Sequence, residues 1–589
     1  MLQLRRVLAL GLVVRLVSGG AFGAKEGDTQ SIADESLCRT TPPLGWKPEF
    51  HYEPAAKERK CAVDGGEETL QSTWGATAEG VKHGFAVDAY AIRQHQEVEV
   101  LMLHAQAKWG SRYDLDRSCG SLPGDDRTFG GAKGEAVFCE FADNDERTPA
   151  SLSDDQSQFW ARTQAVRCKV PDGVWKGGRD IAFKVVVASG DWSVGPFVAS
   201  LPLVDQCTKP AYTDKGGSLD AAGKKTGDVP LLRYKLSLCT SAMTYITFNH
   251  YDGIGSSMDR LWEWIEYHRN LGVEHFFVYD HSAFRDKSTD AYKILQSYMA
   301  DGVVTVVQWF EFERAGGIYD FPAININGKA DQRGSTHSGT AVLQELQINH
   351  CLRKFGPYVR WFASYDTDEY FVPLRHPTLQ GALKYLEDKG TIAEVTGTQK
   401  VFTCLNREFA PDVPVIGRCV FDSPRPITEW SRRWCCSKYW ARADMTLFAG
   451  THVPFSFYDT GEKECRTLAC PRRFISVSED GGDRKSNDNV LVEYLHYKHY
   501  ETCKTCKVLF RSRQFERFGR LVRTNTLARK QQALGPAAAA AAPDAAGAAV
   551  SLEQLDKAGC AGSCRYNMLP GGFVWHNQPA WKRAEAGEL

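Results

Sequence analysis

From Ser257 to Tyr365 the chain switches repeatedly between two hydrophobic periods, and this switching constrains its fold most. Ser257 can cap a helix whose apolar face is Met258, Leu261, Trp262, Ile265, His268 and Leu271, closed by Gly272. A strand signal follows from Val273 to Asp280, a helix from Asp290 to Met299, and a strand from Val303 to Val307. Thr340 to Leu352 reads as helix and Val359 to Tyr365 as strand. Such alternation predicts an α/β domain with a mostly parallel sheet and helices on both faces. Ligands of such sheets bind beyond the carboxyl ends of the strands. Asp280 and Asp366 each follow an apolar strand run, so both are expected on one rim.

The preceding segment has a different texture. Runs such as Glu97 to Leu103 and Ile181 to Val187 alternate with period two, broken by turn clusters such as Leu122-Pro123-Gly124-Asp125-Asp126. This predicts a β-rich, sandwich-like domain over 25–207. Residues 208–230, rich in Gly, Asp, Lys and Thr, read as a linker, and 231–530 as the α/β domain. The Ala-rich run from Pro536 to Val550 lies in a tail, 531–589, that also carries Cys560, Cys564 and Trp575.

The 18 cysteines, spread from Cys38 to Cys564, suit a disulfide framework in an oxidising compartment. Cys503, Cys506, Cys560 and Cys564 could instead be zinc ligands, but the other cysteines argue for oxidation. Arg5 and Arg6, the apolar run Val7 to Val14 and small residues up to Ala24 have the layout of a signal peptide. Arg15 interrupts the run, so 1–24 reads as a cleaved signal or a short anchor giving membrane association. The expected location is the secretory pathway, the Golgi lumen first and secretion second. No Asn-x-Ser/Thr acceptor site is present to support it. With 71 Lys plus Arg against 72 Asp plus Glu, the chain lacks the basic excess of a nucleic-acid binder.

The strand ending at Tyr365 runs into Asp366-Thr367-Asp368-Glu369. Two aspartates one residue apart at a strand end can both reach one hard cation, and Mn²⁺ and Mg²⁺ take such oxygen ligands. A divalent ion neutralises a diphosphate leaving group. A solvated acidic turn is the bland alternative. The apolar strand before the cluster and Tyr370-Phe371 after it anchor the loop on both sides.

Several segments together resemble glycosyltransferase family 92. They are Leu261 to His268, Leu271 to Asp280, Asp366-Thr367-Asp368-Glu369-Tyr370, Ser437-Lys438-Tyr439, Gly450-Thr451-His452-Val453 and Leu495 to Tyr500. Their order and spacing agree with that family over 236–500. The resemblance implies a GT-A-like fold, usually dependent on Mn²⁺, and inverting galactosyl transfer from UDP-galactose to a glycan or polysaccharide acceptor. Characterised members make β-1,4-galactan or extend fucose on N-glycan cores. Carried onto this chain, Asp366, Asp368 and His496 would be metal ligands, with His499 a rival for the last role. Asp280, Cys239, Lys438 and His452 would lie at the nucleotide-sugar.

Arg432 and Arg433 are further candidates for diphosphate charge, with a surface role equally open. Trp361, Trp430, Trp434 and Trp440 are candidates for sugar stacking or for core. Glu266 and His268 would orient the first strand loop or steady their helix. Inverting transfer needs a base; Asp459, Glu462, Glu464 and Glu408 are its candidates, and the sequence does not choose among them. The segment from Pro411 to Trp430 departs from the family pattern, which leaves the acceptor side open.

Two other classes compete. One is a glycan-binding protein on an inactive transferase fold, against which the intact Asp366, Asp368 and His496 argue. The other is a glycoside hydrolase, but carboxylates one residue apart do not readily flank a glycosidic bond.

Overall fold

A computed structural model describes residues 65–68, 73–77, 82–92, 95–105, 136–142, 144–154, 161–177, 180–188, 192–200, 232–240, 258–280, 287–309, 337–367, 369–373, 376, 378–389, 393–404, 413–414, 416, 419–422, 438–451, 454–457, 473–475, 492–499, 508–536 and 565–569. The signal or anchor segment, the 208–230 linker, the Ala-rich run beyond Pro536 and the four cysteines proposed for zinc lie outside these residues.

After the short strand β1 (Gly66–Glu68) come β2 (Thr73–Thr77), β3 (Lys82–Ile92), β4 (Glu97–Ala105), β5 (Val137–Phe141), β6 (Asn144–Asp154) and β7 (Ala161–Lys169). A one-turn-and-a-half helix, α1 (Asp172–Gly177), precedes β8 (Asp180–Val187) and β9 (Trp192–Ser200). The expected sandwich is corrected here. Strands β2 to β9 form one closed antiparallel barrel, in the order β2-β3-β4-β7-β6-β5-β8-β9, because β2 pairs back onto β9. Period-two alternation separates inside from outside in either architecture and carries no record of closure. Val98, Val100, Val166, Val185 and Phe197 fill the barrel interior, where Cys139 and Cys168 form a disulfide.

The remaining elements are β10 (Tyr234–Thr240), α2 (Met258–Asn270), β11 (His275–Asp280), α3 (Asp290–Ala300), β12 (Val304–Gln308), α4 (His337–Phe355), β13 (Val359–Tyr365) and β14 (Glu369–Pro373). Then follow α5 (Leu379–Lys389), β15 (Glu394–Cys404), β16 (Cys419–Asp422), β17 (Lys438–Arg442), β18 (Thr446–Ala449), β19 (Pro454–Phe457), β20 (Arg473–Ile475), β21 (Val492–His499), β22 (Val508–Ser512), α6 (Arg513–Leu534) and β23 (Arg565–Leu569). They build a sheet ordered β1-β12-β11-β10-β13-β17-β15-β16-β22-β23. It is parallel from β1 to β13, and turns antiparallel at β17, so it is mixed where a mostly parallel sheet was expected.

Two boundaries also move. β1, expected in the β-rich domain, pairs in parallel with β12 at the far edge of the larger sheet. The expected break at 530/531 falls inside α6, and β23 from the tail pairs in parallel with β22.

Helices do cover both faces. Leu261, Trp264 and Ile265 of α2 and Leu383 and Leu386 of α5 join Leu238, Val278, Trp361 and Ala363 in the main core. Burying each large apolar side chain contributes about 1.5–3 kcal/mol. On the opposite face Ile348 and Leu352 of α4 pack on Phe362, Tyr439 and Ala441. The alternation Trp361, Phe362, Ala363 along β13 thus feeds two cores. Gly272, at φ +95°, ends α2 in a conformation that favours glycine.

Helix α4 is also the seat of the barrel. The outward positions of β3, β4 and β7, which alternate with interior valines and alanines, carry Asp88, Tyr90, Glu99 and Arg167. They are buried beneath α4, where Asp88 and Glu99 are fully covered. Arg353 Nε donates to Glu99 at 2.5 Å, and Arg167 approaches the same carboxylate at 3.2 Å. Asp88 faces His350 at 3.5 Å and Lys354 at 3.7 Å. Burial pushes the Asp88 carboxyl up, but Lys354, His350 and the Ala89 N–H more than offset it and hold it below the usual carboxylate range.

Candidate active site

Strands β10, β11 and β13 run in parallel, so Thr240, Asp280 and the residue after Tyr365 reach the same rim. Asp280 is buried and lies opposite Gln308 of β12. Register between β13 and β17 sets Trp361 against Arg442, which carries Lys438, at the start of β17, to the end of β13. Asp366 and Lys438 therefore meet: Lys438 Nζ is 3.8 Å from Asp366 Oδ2 and 3.1 Å from Glu369 Oε2. Lys438 and Glu369 are buried, whereas the Asp366 side chain is 38% exposed.

The acidic loop is built by reciprocal bonds. Glu369 N–H donates to the Asp366 carbonyl at 3.0 Å, and the Glu369 carboxylate accepts the Asp366 N–H at 2.9 Å. Helix α2 grips the loop and the strand after it. Arg260 Nε donates to the Thr367 carbonyl at 3.2 Å, Trp264 Nε1 to the Glu369 carbonyl at 3.0 Å, and Tyr267 Oη to the Phe371 carbonyl at 2.9 Å. Alternate carbonyls of β14 are thus capped by helix side chains. Its other edge pairs with β21, in a register that sets Glu369 opposite His496.

The rest of the expected set falls into three groups. Cys239 is buried on β10 and joined to Cys351 of α4 by a disulfide, so its sulfur is committed to packing a strand on a helix and cannot contact a nucleotide. Trp361 and Trp440 are fully enclosed core residues; Trp361 donates Nε1 to Glu387 at 2.9 Å, and no sugar can stack on either. Asp368, His452, Arg432, Arg433, Trp430, Trp434, Glu408, Asp459, Glu462 and Glu464 lie outside the described residues. Of His496 and His499, only the backbone of β21 is described.

Glu266 and His268 serve α2. Glu266 pairs with Arg269 at 2.9 Å and accepts from Tyr298 Oη at 2.8 Å. His268 bonds the Trp264 carbonyl through Nδ1 at 2.9 Å and stacks on Tyr370, 5.7 Å between centroids. Burial pushes its pKa down to about 3, so at neutral pH it is uncharged and its Nδ1 carries the donated proton. The later segments meet through Tyr439, whose Oη donates to the Gly450 carbonyl at 2.7 Å.

The donor chemistry of this rim fits a hard divalent cation. A partly exposed aspartate follows a parallel strand, its loop is held by a helix, and the strand carrying His496 pairs with β14 in a register that sets His496 opposite the residue closing that loop. Among the described residues no group of three metal-ligating side chains forms; Asp368 is not among them. Arg260, Trp264 and Tyr267 were missed as loop supports in the sequence. The signal was their recurrence on one helix face, which reads equally as core periodicity.

Residues 248–517 match the family model of Glycosyltransferase family 92, and this segment of the chain belongs to that family. The match supports transferase activity, with a nucleotide-sugar as the implied donor and a glycan as the implied acceptor. No curated protein matches the chain in sequence. Among the described residues, no helix is long and apolar enough to cross a membrane.

Proposed function

We propose that this protein is a metal-dependent inverting glycosyltransferase of the secretory pathway, transferring galactose from UDP-galactose to a glycan or polysaccharide. The observation that carries the reading is the acidic loop after β13, closed by Glu369 and gripped by Arg260 and Trp264 on the rim of a family 92 domain. Asp366, Asp368 and His496 would hold Mn²⁺ or Mg²⁺. When bound, such an ion supplies Lewis-acid neutralisation of diphosphate charge. The protein's own part is to keep Asp366 presented at the rim and to surround it with buried, fixed groups. Asp280, on the same rim, would face the nucleotide. An acceptor hydroxyl would attack the anomeric carbon from the side opposite the diphosphate, its proton taken by a carboxylate on the acceptor side.

The barrel, fixed to α4 by buried charges, would bind an extended acceptor. The test is donor hydrolysis by the purified lumenal protein across a panel of nucleotide-sugars with Mn²⁺. Hydrolysis of UDP-galactose above all others supports the donor assignment. Preference for a different nucleotide-sugar replaces galactose and leaves the transferase reading standing. Neither turnover nor binding of any donor would favour a glycan-binding protein on an inactive fold.

A further inference from the structure

Three carboxylates crowd four positions of the 366–369 loop, and the structure gives Glu369 surroundings unlike those of Asp366. We infer that Glu369 and Lys438 are a buried positioning pair that sets the shape of this loop, and that Glu369 is not a metal ligand. The geometry stands alone; its consequence for cation binding rests on the transferase reading.

The N–H, the carbonyl and Oε2 of Glu369 each help to hold the loop. Its N–H closes onto the Asp366 carbonyl at 3.0 Å, its carbonyl accepts Trp264 Nε1 at 3.0 Å, and Oε2 accepts the Asp366 N–H at 2.9 Å. The same Oε2 meets Lys438 Nζ at 3.1 Å. Two bonds run in opposite senses between residues three apart, the reciprocity that a capping box uses to fix a helix start. Here it fixes a strand-to-strand loop.

Burial separates the roles. Glu369 and Lys438 side chains are 2% and 1% exposed, against 38% for Asp366. A buried carboxylate is tolerated when paired and hydrogen-bonded, and Lys438 supplies the charge. A cation drawn onto Glu369 would have to share that carboxylate with an ammonium already in contact. Charge balance agrees: three carboxylates and one lysine leave a net −2, which one divalent ion matches. Lys438 also lies 3.8 Å from Asp366, so it steadies the second acid before any cation arrives. Lys438 is therefore a support of the loop, a different task from the diphosphate contact expected of it.

The test uses the full lumenal protein as wild type, Glu369→Gln, Lys438→Met and the double variant, with two readouts. Hydrogen exchange at the Asp366 amide reads the pair without metal; free-Mn²⁺ electron paramagnetic resonance reads cation affinity. Both single variants are expected to speed that exchange. Glu369→Gln is expected to weaken Mn²⁺ binding about 10–100-fold, as loss of an outer support does. The double variant, which no longer leaves a buried ammonium short of a carboxylate, is expected to recover at least about tenfold of that loss.

Unchanged exchange in both single variants overturns the pair. A double variant that binds Mn²⁺ as weakly as Glu369→Gln makes Glu369 a ligand and overturns the inference. Where Glu369→Gln alone does not fold, the double variant decides: Mn²⁺ affinity within about tenfold of wild type supports the pair, and any greater loss refutes it. Wild-type protein that binds no Mn²⁺ contradicts the metal reading, and amide exchange then decides the pair by itself.

Discussion

Glu99 of barrel strand β4 accepts from Arg353 of α4 at 2.5 Å, and solvent reaches neither side chain appreciably. One carboxylate, shared with Arg167, thereby fastens a barrel to the helix that also backs the transferase sheet. Breaking a buried pair by removing one partner leaves a desolvated charge, which costs about 3–5 kcal/mol. Glu99→Gln is expected to lower unfolding stability by that amount, and adding Arg353→Met to restore part of it. Chemical denaturation of the three variants checks this; a loss below about 1 kcal/mol in Glu99→Gln would show that the pair holds nothing.

Trp264 and Tyr267 reach across to the carbonyls of Glu369 and Phe371. Trp264→Phe keeps a ring in the core but removes the N–H, and a buried acceptor without its donor costs about 1–3 kcal/mol. Tyr267→Phe removes an O–H with the same consequence. Both variants are expected to fold with lower melting temperatures and to turn over donor more slowly, because the strand after the acidic loop is held less firmly. Steady-state rates equal to wild type in both would separate α2 from the site.

His268 and His275 are enclosed, and burial pushes the pKa of each down to about 3. An unfolded histidine titrates near 6.5. Between these values the unfolded chain binds more protons, so stability is full above about pH 6.5 and falls as pH drops toward 3. Each residue contributes a slope of about 1.4 kcal/mol per pH unit in that window. Melting curves from pH 7.5 to 5 are expected to show the decline, and His275→Gln to flatten it. A slope in His275→Gln as steep as in wild type would contradict the assignment.

Cys239 and Cys351 join β10 to α4 across a sequence separation of 112. Closing so long a loop restrains the unfolded chain, worth about 2–4 kcal/mol. The double variant Cys239→Ser, Cys351→Ser is expected to lose that stability while donor turnover at low temperature persists, because the sulfurs pack and do not react. Loss of donor binding without loss of stability would return Cys239 to the nucleotide site.

Much of the transferase sheet was readable because its elements carry local signals. The strand Val359–Tyr365 and the start of the helix at Asp290 fall where periodicity places them, and the structure adds a cap at Thr289, whose side chain accepts the Tyr292 N–H. The acidic loop was readable because apolar residues flank it. Barrel closure was not, since pairing of β2 with β9 joins segments more than a hundred residues apart and depends on no local pattern. For the same reason the local sequence carries no sign that Asp88, Glu99 and Arg167 are buried; only α4, far along the chain, turns that face into an interior. The supports of the acidic loop were hidden differently. Trp264 and Tyr267 occupy core positions and also donate hydrogen bonds, and apolar periodicity records only the first of these tasks.

Under the proposed function, the loop beginning at Asp366 holds a divalent ion and a nucleotide-sugar. The most direct measurement is hydrolysis of UDP-galactose by wild type, Asp366→Asn and Asp368→Asn, each with Mn²⁺ and with EDTA. Turnover is expected in wild type with Mn²⁺ alone, with a fall of at least about 100-fold with EDTA or with either substitution. Turnover that survives EDTA and both substitutions would contradict that reading and move the active site away from this loop.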